Sequence, residues 1–281
     1  MSATTARLYL DLLKKSLLGE LHLENEVRLS YLRDCLAGDE RFQLPTYLHI
    51  DLARPEVCEH FRRLMVEGRV REERLENLGF PDTMIGRLRL DNIEWSFDEI
   101  IRDGIAGSLM ECGVWRGGAA VFMRGLLKAH DIRDRLVWVA DSFAGPPAPT
   151  LPQDLDEDLS STKYPMLAIP LETVRGTFER YGLLDEQVRF VPGWFGASLR
   201  LAPIDKLALL RIDADLYEST WDALSALYDR VSLGGFVIVD DYNCIPACRE
   251  AVDEFRCNRG VADELKRIDW TGVYWRKSSP S

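Results

Sequence analysis

The chain is poor in the residues that mark several large functional classes. Its 281 residues include only six cysteines and four histidines. Cys35, Cys58, Cys112, Cys244, Cys248 and Cys257 form no CxxC pair and no regular framework, which argues against a disulfide scaffold or a thiolate zinc site and for free thiols in a reducing, cytoplasmic setting. Basic residues are outnumbered, 35 Lys and Arg against 46 Asp and Glu, for a net charge of -11. Nucleic acid and anionic membrane surfaces reward clustered cations, so neither is expected as a partner. No apolar run approaches the length of a bilayer span. The opening "MSATTARLYLDLLKKSLLGEL" lacks the uninterrupted apolar core and small-residue cleavage site of a signal peptide, and its leucines at 8, 12, 13 and 17 share one helical face.

What remains is 46% hydrophobic and 29% charged, the composition of a globular protein with a real core. Residues 1–100 read as helices broken by polar turns, a cap and acceptor-binding region. From about residue 107 short β-rich runs alternate with helical ones: "SLMECGV", "GGAAVFMRGLLKAH", "RLVWVAD", "LETVRGTFERYGL", "QVRFVPG", "KLALLRID", "STWDALSALYDRV", "GFVIVDD". That alternation predicts an α/β fold over 101–281, a doubly wound and mostly parallel sheet with helices on both faces. The closing runs "LKRIDW" and "GVYWRK" predict an antiparallel end to the sheet. Residues 144–170, rich in proline and acids, allow no regular element and are expected to form a lid after a strand's carboxyl end.

The stretch "GGFVIVDDYN" sets an apolar strand against two adjacent acids, Asp240 and Asp241. Helix capping accounts for one of them at best. Asp213 ends another apolar run 27 residues earlier, and the helix between predicts a right-handed crossover with both strand ends on one edge. Adjacent strands lie about 4.8 Å apart, so three carboxylates would crowd and repel unless a cation held them. All-oxygen donors select a hard ion: Mg²⁺ first, with Ca²⁺ or Mn²⁺ as alternatives. Asp215 is left outside this set, as a surface or supporting acid.

"SLMECGVWRGGAA" is a strand, a glycine turn and a helix, the place where α/β sheets bind nucleotide-like cofactors. Val114, Trp115 and Arg116 follow Gly113 where a pyrophosphate fingerprint needs its second glycine, which disfavours a dinucleotide and an oxidoreductase. Glu111 suits an amino-bearing ligand, and Asp141 in "VWVADSF" suits a ribose diol. Together they describe S-adenosylmethionine better than NAD.

The stretches "TMIGRLRLDN", "ECGVWRGGAAVFMRGLL", "VWVADSF", "ERYGLLDEQVRFVPGWF", "RIDADLYESTWDAL", "GGFVIVDDYNCIPACREAVDEFR" and "RIDWTGVYWR" resemble the macrocin O-methyltransferase family from about residue 80 to 277. The resemblance implies a class I methyltransferase that uses S-adenosylmethionine and Mg²⁺ to methylate a deoxysugar hydroxyl of a macrolide or other glycosylated antibiotic. It puts the metal ligands at Asp213, Asp240 and Asp241, and the base at Asp213. It puts the cofactor contacts at Thr83 and Met84, at Glu111, Cys112, Gly113, Val114, Trp115, Arg116, Gly117 and Gly118, at Asp141, Ser142 and Phe143, and at Trp194 and Phe195. A related catechol-methylating group carries a lysine where this chain has Leu216, which weakens a phenolic acceptor. His22, His49, His60 and His130 are rival bases away from the strand ends; His49 and Tyr47 would need the N-terminal region to fold over the site. Trp95 and Trp138 are expected in the core. The helical arm is expected to support a homodimer or higher homo-oligomer.

Overall fold

A computed structural model describes residues 3–68 and 81–279; residues 69–80, within the region expected to form a cap, lie outside the described residues. The elements, in chain order, are α1 (Ala3–Leu17), α2 (Leu23–Ala37), the short α3 (Leu44–Leu48) and α4 (Ile50–Ala53), α5 (Pro55–Glu67) and α6 (Arg87–Arg102). Then come β1 (Ser108–Cys112), α7 (Gly118–Ala129), β2 (Val137–Asp141), α8 (Leu171–Arg180), β3 (Val188–Pro192), α9 (Phe195–Leu201) and β4 (Leu207–Ile212). The chain closes with α10 (Tyr217–Leu227), β5 (Val231–Val239), α11 (Pro246–Asn258), β6 (Lys266–Arg267) and β7 (Val273–Arg276).

The sheet order is β3-β2-β1-β4-β5-β7-β6. The first five strands are parallel, while β7 runs antiparallel to both β5 and β6. This is the doubly wound architecture expected from the alternating runs, with its antiparallel end.

Strand side chains alternate between faces, and the core divides accordingly. Leu109, Val137, Val139, Leu209, Phe236 and Ile238 join a layer with α1, α6, α7 and α8. Their neighbours Met110, Trp138, Ala140, Leu210, Val237 and Val239 join a second layer with α9, α10 and α11. Trp138 is buried as expected, but Trp95 is 42% exposed. It lies edge-on to Phe236 and Tyr274 at the margin of the first layer, because α6 turns only part of its circumference to the sheet. A separate small cluster, with Val27, Tyr31, Ile50, Phe61 and Met65, holds α2, α4 and α5 together.

The parallel ladder runs one residue past each strand and so lines up the residues that follow. Gly113 N–H donates to Ala140 O (2.9 Å), Asp213 N–H to Cys112 O (2.8 Å) and Asp240 N–H to Ile212 O (2.9 Å). Asp213 and Asp240 therefore end adjacent parallel strands on one edge. Among the described residues no helix is long and apolar enough to cross a membrane.

Candidate active site

The carboxyl edge opens into a cavity of about 300 Å³. Its walls include Gly113, Trp115, Asp141, Trp194, Asp213 and Asp215. Ser142, Phe195 and Met84 also face it; within residues 1–100, Met84 is the one wall residue among those described. Tyr47 and His49 do not line it.

The glycine turn is shaped by a close backbone approach. Gly113 has φ +81, and a Cβ there would lie 1.7 Å from the carbonyl oxygen of Asp213. No other residue fits between β1 and β4 at this point. Trp115 follows with φ 47, an unusual conformation for a bulky residue. It is held by its indole N–H, which donates to Met166 O at 3.0 Å, and by the Arg116 guanidinium stacked 4.5 Å over its ring. Of the four non-glycine residues with positive φ among those described, Trp115, Phe143 and Asp215 all sit at this edge. Such strain persists where surrounding structure over-determines it and collects at functional sites.

Asp141 closes the turn from below. One oxygen accepts from Val114 N–H and the other from Phe143 N–H, both at 2.8 Å. Burial pushes this carboxyl up, and those backbone donors pull against it. Asp141 both lines the cavity and fixes the turn that forms its floor.

Other residues expected at the cofactor stand behind this wall. Cys112 is buried in the second core layer. Thr83 accepts from Ile85 N–H (3.4 Å), and Gly118 N–H donates to Asp82 O (3.0 Å), so this segment lies against the start of α7. A Cβ at Gly118 would meet Asp82 O at 2.4 Å, and one at Gly117 would meet Val174 at 2.8 Å. Arg116 donates to Pro81 O (3.2 Å), while Phe143 packs edge-on to Phe190. Glu111 is also absent from the cavity wall. It is 2% exposed and paired with Arg211. Burial pushes its carboxyl up to about 8 against the opposing pull of Arg211.

The strand register explains which acids meet. Glu111 pairs with Arg211 across β1 and β4, and Arg211 with Ile238 across β4 and β5. Two residues on along the same face come Asp213 and Asp240. Arg211 thus lies under three carboxylates, bonding Glu111, Asp240 and, at 3.0 Å, Asp213 Oδ2. The second oxygen of Asp240 accepts from Arg89 of α6, whose Nε also donates to Asp269 at 2.7 Å. Both oxygens of Asp240 are therefore committed to arginines in a buried network.

Asp241, one residue on, is also buried, at 2% exposure. Asp213, Asp215 and Asp241 each place a carboxylate oxygen within 4.8 Å of the others. Of the expected ligands, Asp213 and Asp241 lie in this group together with Asp215, while Asp240 bonds Arg211 and Arg89. Three hard carboxylate donors at this spacing fit a hard divalent cation and offer nothing to a soft one. The signal for Asp215 was present in "RIDADLYEST", since the helix that follows forces a sharp turn there.

Residues 144–170 contain two single 3-10 turns, Pro152–Asp154 and Pro165–Leu167, and otherwise irregular chain. They contribute Pro146, Thr150 and Leu167 to the cavity wall.

The sequence pattern of the macrocin O-methyltransferase (TylF) family matches residues 6–277. The chain is 53% identical over 204 residues to the demethyldecarbamoylnovobiocin O-methyltransferase of Streptomyces niveus, covering 70% of this chain and 76% of that protein. It is 51% identical over 201 residues to the 8-demethyl-8-(2,3-dimethoxy-alpha-L-rhamnosyl)-tetracenomycin-C 4'-O-methyltransferase of Streptomyces olivaceus, covering 71% and 77%. The solved structure of the O-methyltransferase NovP superposes with a TM-score of 0.78 at 44% identity over 98% of this chain and 100% of that one. With the fold, the turn and the match over nearly its whole length in agreement, the chain belongs to the macrocin O-methyltransferase family and is a methyltransferase.

Proposed function

We propose that the protein transfers the methyl group of S-adenosylmethionine to a deoxysugar hydroxyl of a glycosylated natural product, with a divalent cation of the Mg²⁺ type held by Asp213, Asp215 and Asp241. One observation carries this reading: the glycine turn with Asp141 lines the same cavity as Asp213 and Asp215, two of the three clustered carboxylates, with the buried Asp241 next to them. The names of the relatives, one of which specifies a rhamnosyl acceptor, support the sugar.

In the reaction the donor's S–CH₃ bond breaks as the O–CH₃ bond forms, and the hydroxyl proton must leave. Taking water's 15.7 as an upper guide, an ordinary carboxylate of about 3.9 faces a gap of roughly 12 units, or about 16 kcal/mol. A carboxylate alone cannot generate a free alkoxide, so proton loss accompanies methyl transfer. A bound cation would supply Lewis acidity and charge stabilisation at the acceptor oxygen. The chain's own residues do the rest. Asp213, whose second oxygen is anchored by Arg211, receives the proton, and Asp215 beside it is placed to share that task. The turn from Gly113 to Trp115, with Asp141, seats the donor; Trp194 and Phe195 form the wall beside its base. The overlying 144–170 segment excludes water.

The test is methyl transfer from deuteromethyl-labelled donor to a panel of glycosylated aglycones, followed by mass spectrometry with and without EDTA. Labelled methyl on the sugar, lost with EDTA and restored by Mg²⁺, is the expected result. Labelling of catechols instead, or full activity in EDTA, would overturn the acceptor or the metal assignment respectively.

A further inference from the structure

Asp154 sits in the first 3-10 turn of the overlying segment and is 0% exposed. An acid so deeply buried requires partners. It has them across 63 residues of chain: Oδ1 accepts from Tyr217 N–H at 2.6 Å and Oδ2 from Glu218 N–H at 3.1 Å. These are the first two amides of α10. The residue that would ordinarily cap that helix is Leu216, which has no side chain able to do so. The overlying segment therefore supplies the cap from a distance, and its charge suits the positive end of the helix.

The helix start is also where the site acids are set. Asp215, in the left-handed conformation at φ 57, is two residues from Tyr217, and Leu216 N–H bonds back to Ala214 O at 2.6 Å. A second tie from the same segment, Thr150 Oγ1 to Glu218 Oε2 at 2.8 Å, lies at the cavity wall. We propose that Asp154 is a positioning residue: by capping α10 it fixes the strained Asp213–Asp215 turn and locks the cavity roof to it, so that roof and acid cluster order together. The structural part of this proposal stands on the hydrogen bonds alone; its consequence for cation binding rests on the function proposed above.

The test uses the full-length protein with Asp154→Ala, Asp154→Asn and, as a control that cuts only the second tie, Thr150→Val. Hydrogen exchange read by mass spectrometry is expected to rise by about tenfold in Asp154→Ala, the scale of a lost cap, in both 213–219 and 144–168, with the central strands unchanged. Asp154→Asn, which retains an acceptor for one of the two amides, should fall between. Mn²⁺ alone, titrated by electron paramagnetic resonance, should bind about tenfold more weakly to Asp154→Ala and as in the unsubstituted protein to Thr150→Val. If exchange rises in the overlying segment while 213–219 stays protected, or if Mn²⁺ affinity is untouched, the proposal is overturned. Absence of Mn²⁺ binding by the unsubstituted protein would strike the metal reading instead, and exchange would then decide the role of Asp154.

Discussion

Replacing Arg211 with Met tests the ionic network under the acid cluster. Arg211 is 1% exposed and bonds to Glu111, Asp213 and Asp240, while Arg89 reaches only the last of these among the three. Removing it leaves buried carboxylates without their main compensating charge, a change that costs about 3–5 kcal/mol where it has been measured in buried pairs. At roughly 2–4 °C per kcal/mol for chains of a few hundred residues, the melting temperature should fall by roughly 6–20 °C. Differential scanning calorimetry reads this directly. Arg211→Lys should recover only part of the loss, because an ammonium on a flexible stem cannot span three acceptors as a planar guanidinium does. A fall below about 1 kcal/mol for Arg211→Met would refute the argument, since it would mean water or rearrangement compensates these acids.

Glu111 gives a pH signature with a definite sign. Its folded-state value, about 8, lies above the ordinary carboxylate value of 4.5, so its contribution to stability is fully present below about 4.5 and is lost as pH rises toward 8. Glu111→Gln should flatten that part of the stability profile, and an unchanged slope between pH 5 and 8 would count against it. Asp240 and Asp241 should separate in metal titration calorimetry: Asp241→Asn is expected to lose more than about tenfold in Mg²⁺ affinity, whereas Asp240→Asn should chiefly lower stability. The opposite pattern would return Asp240 to the ligand set. Asp213→Asn should abolish turnover while S-adenosylhomocysteine binds nearly as before; retained turnover would remove its role as proton acceptor. Gly113→Ala places a methyl 1.7 Å from Asp213 O and should yield little folded protein, which solubility and circular dichroism would show.

The alternating β and helical runs, the antiparallel close and the shared edge of Asp213 and Asp240 were legible from residue order alone, because each follows from local periodicity and the handedness of the crossover. So was the importance of Gly113, since a turn after a strand invites a residue without a Cβ. The arginine partners of the acids were not. How the charges pair depends on the register of β1, β4 and β5, which sets Glu111, Arg211, Asp213 and Asp240 on one face. Arg89 and Asp154 join the site region from 151 and 63 residues away from their partners Asp240 and Tyr217, and nothing local to either announces it. Residue order thus determined the sheet and the edge where the chemistry gathers; only packing decided which charges neutralise one another in the interior and which remain to face the cavity, because desolvation and pairing are properties of neighbours in space.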